Sequence, residues 1–172
     1  MADVFIDCEW IGGDYLTILG AYSLGQSRFQ LFGKTLTRRR LSRFLNLCCG
    51  RNRSRDILLF CHGPDLGRIR REFDLELKEE YYCINTITAF RRFTNFRDVS
   101  LGHLERYFGL SRKYAPSTSE MNAMWNSRKR KDRQVVLNYN WEDCINLWHL
   151  VNVLKRDYGL TRGGFKQVAM DP

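Results

Sequence analysis

The chain has 172 residues, which suits one domain spanning 1–172, and its 44% apolar and 13% aromatic content marks a folding sequence rather than a disordered one. No apolar run reaches the roughly 18 residues of a membrane helix, and Met1 leads at once into an apolar strand pattern with an acid, so no secretory leader and a cytoplasmic location are expected. Twenty-eight Lys and Arg against 19 Asp and Glu give a net charge of +9, which points to a polyanionic partner, nucleic acid rather than membrane.

Val4 to Trp10 reads as a strand, Gly12-Gly13-Asp14 as a turn, and Leu16 to Leu24 as a second strand. After the turn Gly25-Gln26-Ser27, Phe29 to Phe32 is a third, so the three form an antiparallel meander. Thr37 caps a helix over Arg38 to Leu47 with Leu41, Phe44 and Leu45 on one face, and Gly50 closes it. The apolar run from Asp56 to Cys61 reads as a strand buried on both faces. Asp65 to Leu77 is helical by the spacing of Leu66, Ile69 and Phe73, and Tyr81 to Ile87 is a fifth strand. Ser100 caps a helix ended by Gly109. Residues 112–133 read as a loop with a short helix at Glu120 to Trp125, and a long helix runs from Gln134 to Tyr158, stopped by Gly159. The order predicts an α/β fold with a central mixed five-stranded sheet flanked by helices. The six cysteines, Cys8, Cys48, Cys49, Cys61, Cys83 and Cys144, form no C-x-x-C pair and read as small buried hydrophobes.

Asp7 and Glu9 are two apart on a strand, so their carboxylates project from one face. Like charges that close repel unless a cation lies between them, and carboxylate oxygens suit hard divalent ions such as Mg2+ or Mn2+. Tyr139 and Asp143 are four apart on the long helix and share a face. Asp65 follows a buried strand where the chain turns into a helix, the crevice in which α/β folds place their sites.

Asp-x-Glu on the first strand, an Asp after the fourth, and Tyr-x-x-x-Asp on the last helix resemble the signature of the DEDDy 3′–5′ exonucleases of the ribonuclease H-like superfamily. Phe5-Ile6-Asp7-Cys8-Glu9, Val99 to Leu110 and Leu137 to Leu147 are most similar to the compact members related to the proofreading domain of family B DNA polymerases. The second motif departs from the family: His62 stands where Asn is usual and Pro64 precedes Asp65, so Asp56 and Asp74 compete for the third acid. Trp10 stands where Thr is usual.

The resemblance implies two divalent ions, Mg2+ or Mn2+, held by Asp7, Glu9, Asp65 and Asp143, with Tyr139 orienting the attacking water. It implies a single-stranded DNA or RNA substrate and a nucleoside 5′-monophosphate product. Trp10, His62, Arg128, Lys129, Arg130 and Lys131 are the expected nucleic-acid contacts, with Trp125 as a further base-stacking candidate, and most other arginines read as a solvated face. An endonuclease and a binding module without turnover are the alternatives.

Overall fold

The computed structural model of the chain describes residues 3–13, 15–49 and 57–170. Five strands, β1 (Val4–Glu9), β2 (Ile18–Ser23), β3 (Phe29–Phe32), β4 (Leu58–Cys61) and β5 (Tyr82–Asn85), form one mixed sheet in the order β3-β2-β1-β4-β5. β1 is the hinge of the topology: it pairs antiparallel with β2 and parallel with β4, and β4 pairs parallel with β5. The C-terminal ends of β1, β4 and β5 therefore lie at one end of the sheet, where Glu9, Cys61 and Asn85 stand.

Seven α-helices flank the sheet among the described residues: α1 (Arg38–Cys49), α2 (Asp65–Phe73), α3 (Thr86–Phe93), α4 (Leu101–Tyr107), α5 (Thr118–Asn126), α6 (Arg130–Asp157) and α7 (Arg162–Met170). The alternation of β1 sorts them into two layers. Val4, Ile6 and Cys8 pack under Leu41, Phe44 and Leu45 of α1 and Ile69 and Phe73 of α2. Phe5 faces the other way, into Phe90 of α3, Leu104 of α4, Leu147, Leu150 and Leu154 of α6, and Phe165 of α7. Asp7 and Glu9 continue the Phe5 face.

Most boundaries fall within two residues of the sequence expectation, and the departures have local causes. β1 stops at Glu9 rather than Trp10, and β2 is the shorter Ile18–Ser23. α2 ends at Phe73, not Leu77, because Asp74 turns into the left-handed region at φ 48°. Tyr81 to Ile87 is not all strand. The Asn85 side chain accepts from the Ile87 N–H, capping α3 in a stretch whose β-branched residues read as extended. The short helix α5 is longer than expected, because Ser117 and Glu120 close a capping box. α6 starts at Arg130, four residues before Gln134, with Asp132 in the first turn facing the positive end of the helix dipole. α7 was not expected. It is a short two-glycine helix whose Phe165 and Val168 are buried and whose Gly164 N–H is received by Thr161 Oγ1. Asp14, Gly50 and Asp56 lie outside the described residues. Among the cysteines, Cys8, Cys48, Cys61, Cys83 and Cys144 are buried.

Candidate metal centre

The site forms where the Phe5 face of β1 reaches its C-terminal end beneath α6. Asp7 and Glu9 come from β1 and Asp143 from α6. One carboxylate oxygen of each lies within 4.8 Å of the others. Tyr139 stands one turn before Asp143 and donates its hydroxyl to that carboxylate. Asp65 opens α2 at the end of β4 and is 2% exposed. It lies outside the three-carboxylate cluster, but its charge raises the pKa of both Asp7 and Glu9. It accepts from the His62 backbone N–H, and its Oδ2 is buried with no hydrogen-bond partner. Asp74 stands at the far end of α2, fully exposed, and does not reach the cluster.

These acids resist ionisation. Burial pushes Asp7 well above the usual carboxylate range, and Glu9 and Asp65 push it further. Burial and then the Asp143 charge raise Glu9 to about 8. Burial raises Asp65 to about 7. Asp143 is raised by burial and by Asp7, against the pull of Arg112. Tyr139 is raised by burial and by Asp143, so it keeps its proton at neutral pH. Asp7, Glu9 and Asp143, desolvated together, form a donor set that a divalent cation would complete, and Asp65 beside them keeps an orphan oxygen.

Two side chains absent from the sequence expectation hold the cluster. Asn140 Nδ2 donates to Asp7 Oδ2 at 2.8 Å and to the Asp7 carbonyl at 3.2 Å. Its own Oδ1 receives Gln30 Nε2 at 2.8 Å, which fixes the amide's orientation. Gly20 makes this contact possible. It faces Asp7 across the β1–β2 pair, and a Cβ there would lie 2.4 Å from Asn140 Oδ1 and 2.9 Å from Cys144 Sγ. The second is Arg112, in the segment between α4 and α5. Its Nε and Nη2 form a fork on buried Glu105, at 2.5 and 2.7 Å, and Nη2 is also 2.5 Å from Asp143 Oδ1. Its guanidinium stands 4.9 Å from the centre of the Tyr139 ring. Asn146 Nδ2 donates to Glu105 Oε1 at 2.9 Å. Burial works against the Arg112 charge, but Glu105 and Asp143 hold it protonated far above its ordinary range. Glu142 receives the N–H groups of Lys113 and Tyr114, tying the same segment to α6. Tyr139 and Asp143 were legible at helical spacing; Glu142, Asn146 and the partner Arg112 were not.

The expected nucleic-acid contacts lie in different settings. The Trp10 ring is covered by the Arg68 guanidinium, 3.8 Å from its centre. His62 is no open surface contact. Its Nδ1 is 2.8 Å from Thr86 Oγ1, and burial lowers its pKa to about 4, so it is neutral at pH 7. Arg128, Lys129 and Arg130 are exposed where α5 gives way to α6, and Lys131 lies one residue on, also exposed. Trp125 stands beside them, with Arg133 over its ring at 5.4 Å and Phe32 edge-on at 6.3 Å.

No curated protein matches the sequence. Among solved structures, the fold is similar to the family B DNA polymerase of the hyperthermophilic archaeon Pyrobaculum calidifontis, with a TM-score of 0.69 at 11% identity. That similarity covers 99% of this chain and 27% of the polymerase, so the chain corresponds to about a quarter of that enzyme's length. The model of the RNase_H superfamily matches residues 4–155, which take in all five strands and the helix carrying Tyr139 and Asp143, and the chain belongs to that superfamily.

Proposed function

We propose that the chain is a metal-dependent 3′–5′ exonuclease that releases nucleoside 5′-monophosphates from single-stranded DNA or RNA in the cytoplasm. The observation that carries this reading is the meeting of Asp7, Glu9 and Asp143 within 4.8 Å, with the Tyr139 hydroxyl on Asp143. A ribonuclease H-like fold and likeness to a polymerase support a nuclease in general. The Tyr-x-x-x-Asp pair argues for the exonuclease branch.

Asp7, Glu9 and Asp143 would hold the divalent metal, with Asp65 beside them as the fourth acid of the site. Two Mg2+ or Mn2+ ions bound there would supply positive charge for an in-line phosphodiester displacement and would lower the pKa of the attacking water. The protein's own tasks are positional. Asn140 fixes one Asp7 oxygen and so orients the carboxylate beside Glu9 and Asp143. Tyr139, which keeps its proton, orients water by hydrogen bonding rather than by taking a proton. Arg112 holds Asp143 in place and brings a fixed positive charge beside the position of the scissile phosphate. Arg128, Lys129, Arg130 and Lys131 grip phosphates of the strand. The Trp10–Arg68 stack offers a ring and a cation on the Asp65 side, and His62 serves through the backbone N–H that holds Asp65.

End-labelled single strands of DNA and RNA, incubated with Mg2+ or Mn2+, test the reading. Stepwise loss of mononucleotides from the 3′ end is expected. Asp7→Ala should abolish it, and Tyr139→Phe should slow it without loss of metal binding. Mid-strand products would make the chain an endonuclease, and retained binding without cleavage a binding module. Full activity of Asp7→Ala, or activity in excess chelator, would overturn the site itself.

A further inference from the structure

The net charge of +9 falls in one stretch of the sequence. Residues 15–55 contain nine Arg and Lys and no Asp or Glu, which leaves 19 cations and 19 anions, a balance of zero, in the rest of the chain. The described part of this segment is β2, β3 and α1. α1 packs Leu41, Phe44 and Leu45 onto the sheet face of Val4, Ile6 and Cys8, the face opposite to Asp7, Glu9 and α6. Its basic residues therefore belong to the back of the molecule and not to the metal centre.

The arrangement works against the stability of the fold. Arg38, Arg39 and Arg40 occupy the first turn of α1 with no acid among them, at the positive end of the helix dipole. Arg39, Arg40 and Arg43 are exposed and, among the described residues, make no ion pair. Arg38 meets only the fully exposed Asp74, at 4.0 Å. Beside them a groove of about 440 Å³ runs between α1 and β3. Arg40, Arg43 and Leu47 of α1 line it, over the stacked rings of Phe29 and Phe44, whose centres are 4.0 Å apart, while Arg28 and Gln30 of the β3 side turn their side chains to α6. The guanidinium forks of Arg39, Arg40 and Arg43, without an acid beside them, match phosphodiester oxygens. A membrane surface fits poorly: it requires an outward apolar stripe, and the apolar face of α1 is already spent on the core.

The groove is continuous with the site. β3 is an edge strand of the sheet. Around that edge Arg28 donates to Asn138 Oδ1 at 2.9 Å and to the Leu137 carbonyl at 2.8 Å, two residues before Tyr139. Phe32, at the end of β3, meets Trp125, over which Arg133 lies. A positive and aromatic path thus leads from α1 over the β3 edge to the helix that carries Tyr139 and Asp143.

We propose that the α1–β3 face is a second nucleic-acid surface, which binds the backbone of a single strand at a distance from the end held in the metal centre. This deepens the exonuclease reading and rests on it for the direction of the strand, but its test does not require turnover. Fluorescence anisotropy in EDTA measures binding of a single strand of about 25 nucleotides, and of a tetranucleotide, to the wild type and to Arg39→Gln/Arg40→Gln/Arg43→Gln across a salt series. For the long strand, the slope of log affinity against log salt should flatten by about two in the triple variant, at about 0.7 per lost phosphate contact. Arg39→Lys/Arg40→Lys/Arg43→Lys should retain the wild-type slope, and the ratio of long-strand to tetranucleotide affinity should collapse in the Gln variant alone. An unchanged slope in the Gln variant would overturn the proposal, as would an equal loss for both lengths. So would wild-type binding to phosphatidylserine vesicles that the Gln variant loses while its strand binding persists. Binding as expected without cleavage would refute the exonuclease reading and leave this surface standing.

Discussion

Gly20→Ala is the smallest change that ties the packing of this fold to its chemistry. The added Cβ would stand 2.4 Å from Asn140 Oδ1 and 2.9 Å from Cys144 Sγ, where ordinary contact begins at 3.4 Å, so the Asn140 oxygen must retreat by a full ångström. That oxygen receives Gln30 at 2.8 Å, and the same amide donates to Asp7 Oδ2 at 2.8 Å and to the Asp7 carbonyl at 3.2 Å, so all three bonds are stretched or broken. Overpacking costs about 1–3 kcal/mol. Three weakened hydrogen bonds at about 0.5–1.5 kcal/mol each bring the total to roughly 2.5–7.5 kcal/mol. At about 2–4 °C per kcal/mol for a chain of this size, the melting temperature should fall by roughly 5–30 °C. Because Asp7 loses the bond that orients it, the variant's turnover on a labelled strand should fall about a hundredfold even well below its melting temperature. A thermal melt and a single-turnover assay at low temperature read the two effects separately. Gly20→Ala/Asn140→Ala removes the nearest clash and should be no less stable than Gly20→Ala, a non-additive result expected only of groups in contact. A Gly20→Ala variant that melts and cleaves like the wild type would refute the reasoning.

Three further outcomes follow from the site. Glu9 and Asp65 hold protons in the folded protein up to about 8 and about 7, against 4.5 and 3.8 ordinarily. Without metal, stability contributed by these protons is complete at low pH and is lost as pH rises through those values. His62, lowered to about 4, acts oppositely between 4 and 6.5, so the clean window is pH 6.5 to 8. In EDTA the melting temperature should fall across that window, and Mg2+ or Mn2+ should restore it most at pH 8; a flat profile would contradict the buried-acid account. Arg112→Ala strands Glu105, which is 2% exposed, and should cost about 3–5 kcal/mol by denaturant unfolding. Arg112→Ala/Glu105→Gln removes both charges and should recover a large share of that loss; no recovery would show that the pair does not act as a unit.

The carboxylates of β1 were legible because strand alternation alone puts Asp7 and Glu9 on one face, and Tyr139 and Asp143 because helical spacing does the same on α6. The sheet followed from apolar runs and turn residues. What stayed hidden depends on distant contacts. Arg112 lies in an irregular segment, and its meaning comes from Glu105 on one helix and Asp143 on another. Asn140 reads as one more polar helix residue until Gly20, 120 positions away, lets it reach Asp7. α3 and α7 were missed for a related reason: one has strand-like residues overruled by the Asn85 cap, and the other two glycines and a single buried face. The third acid was ambiguous because the second motif departs from the family, and placing Asp74 on an exposed helix end removes one rival.

The length of α6 gives the molecule a ruler. Its 28 residues extend about 42 Å, and from Arg130 to Tyr139 the rise is about 13 Å along one uninterrupted rod. A stacked strand advances about 3.4 Å per nucleotide, so on the exonuclease reading roughly four nucleotides separate the phosphate gripped at Arg130 from the one presented at Tyr139. A digestion that begins processively should therefore lose its grip at a fixed remainder, and the size of the last oligonucleotide left behind would report a dimension of this helix.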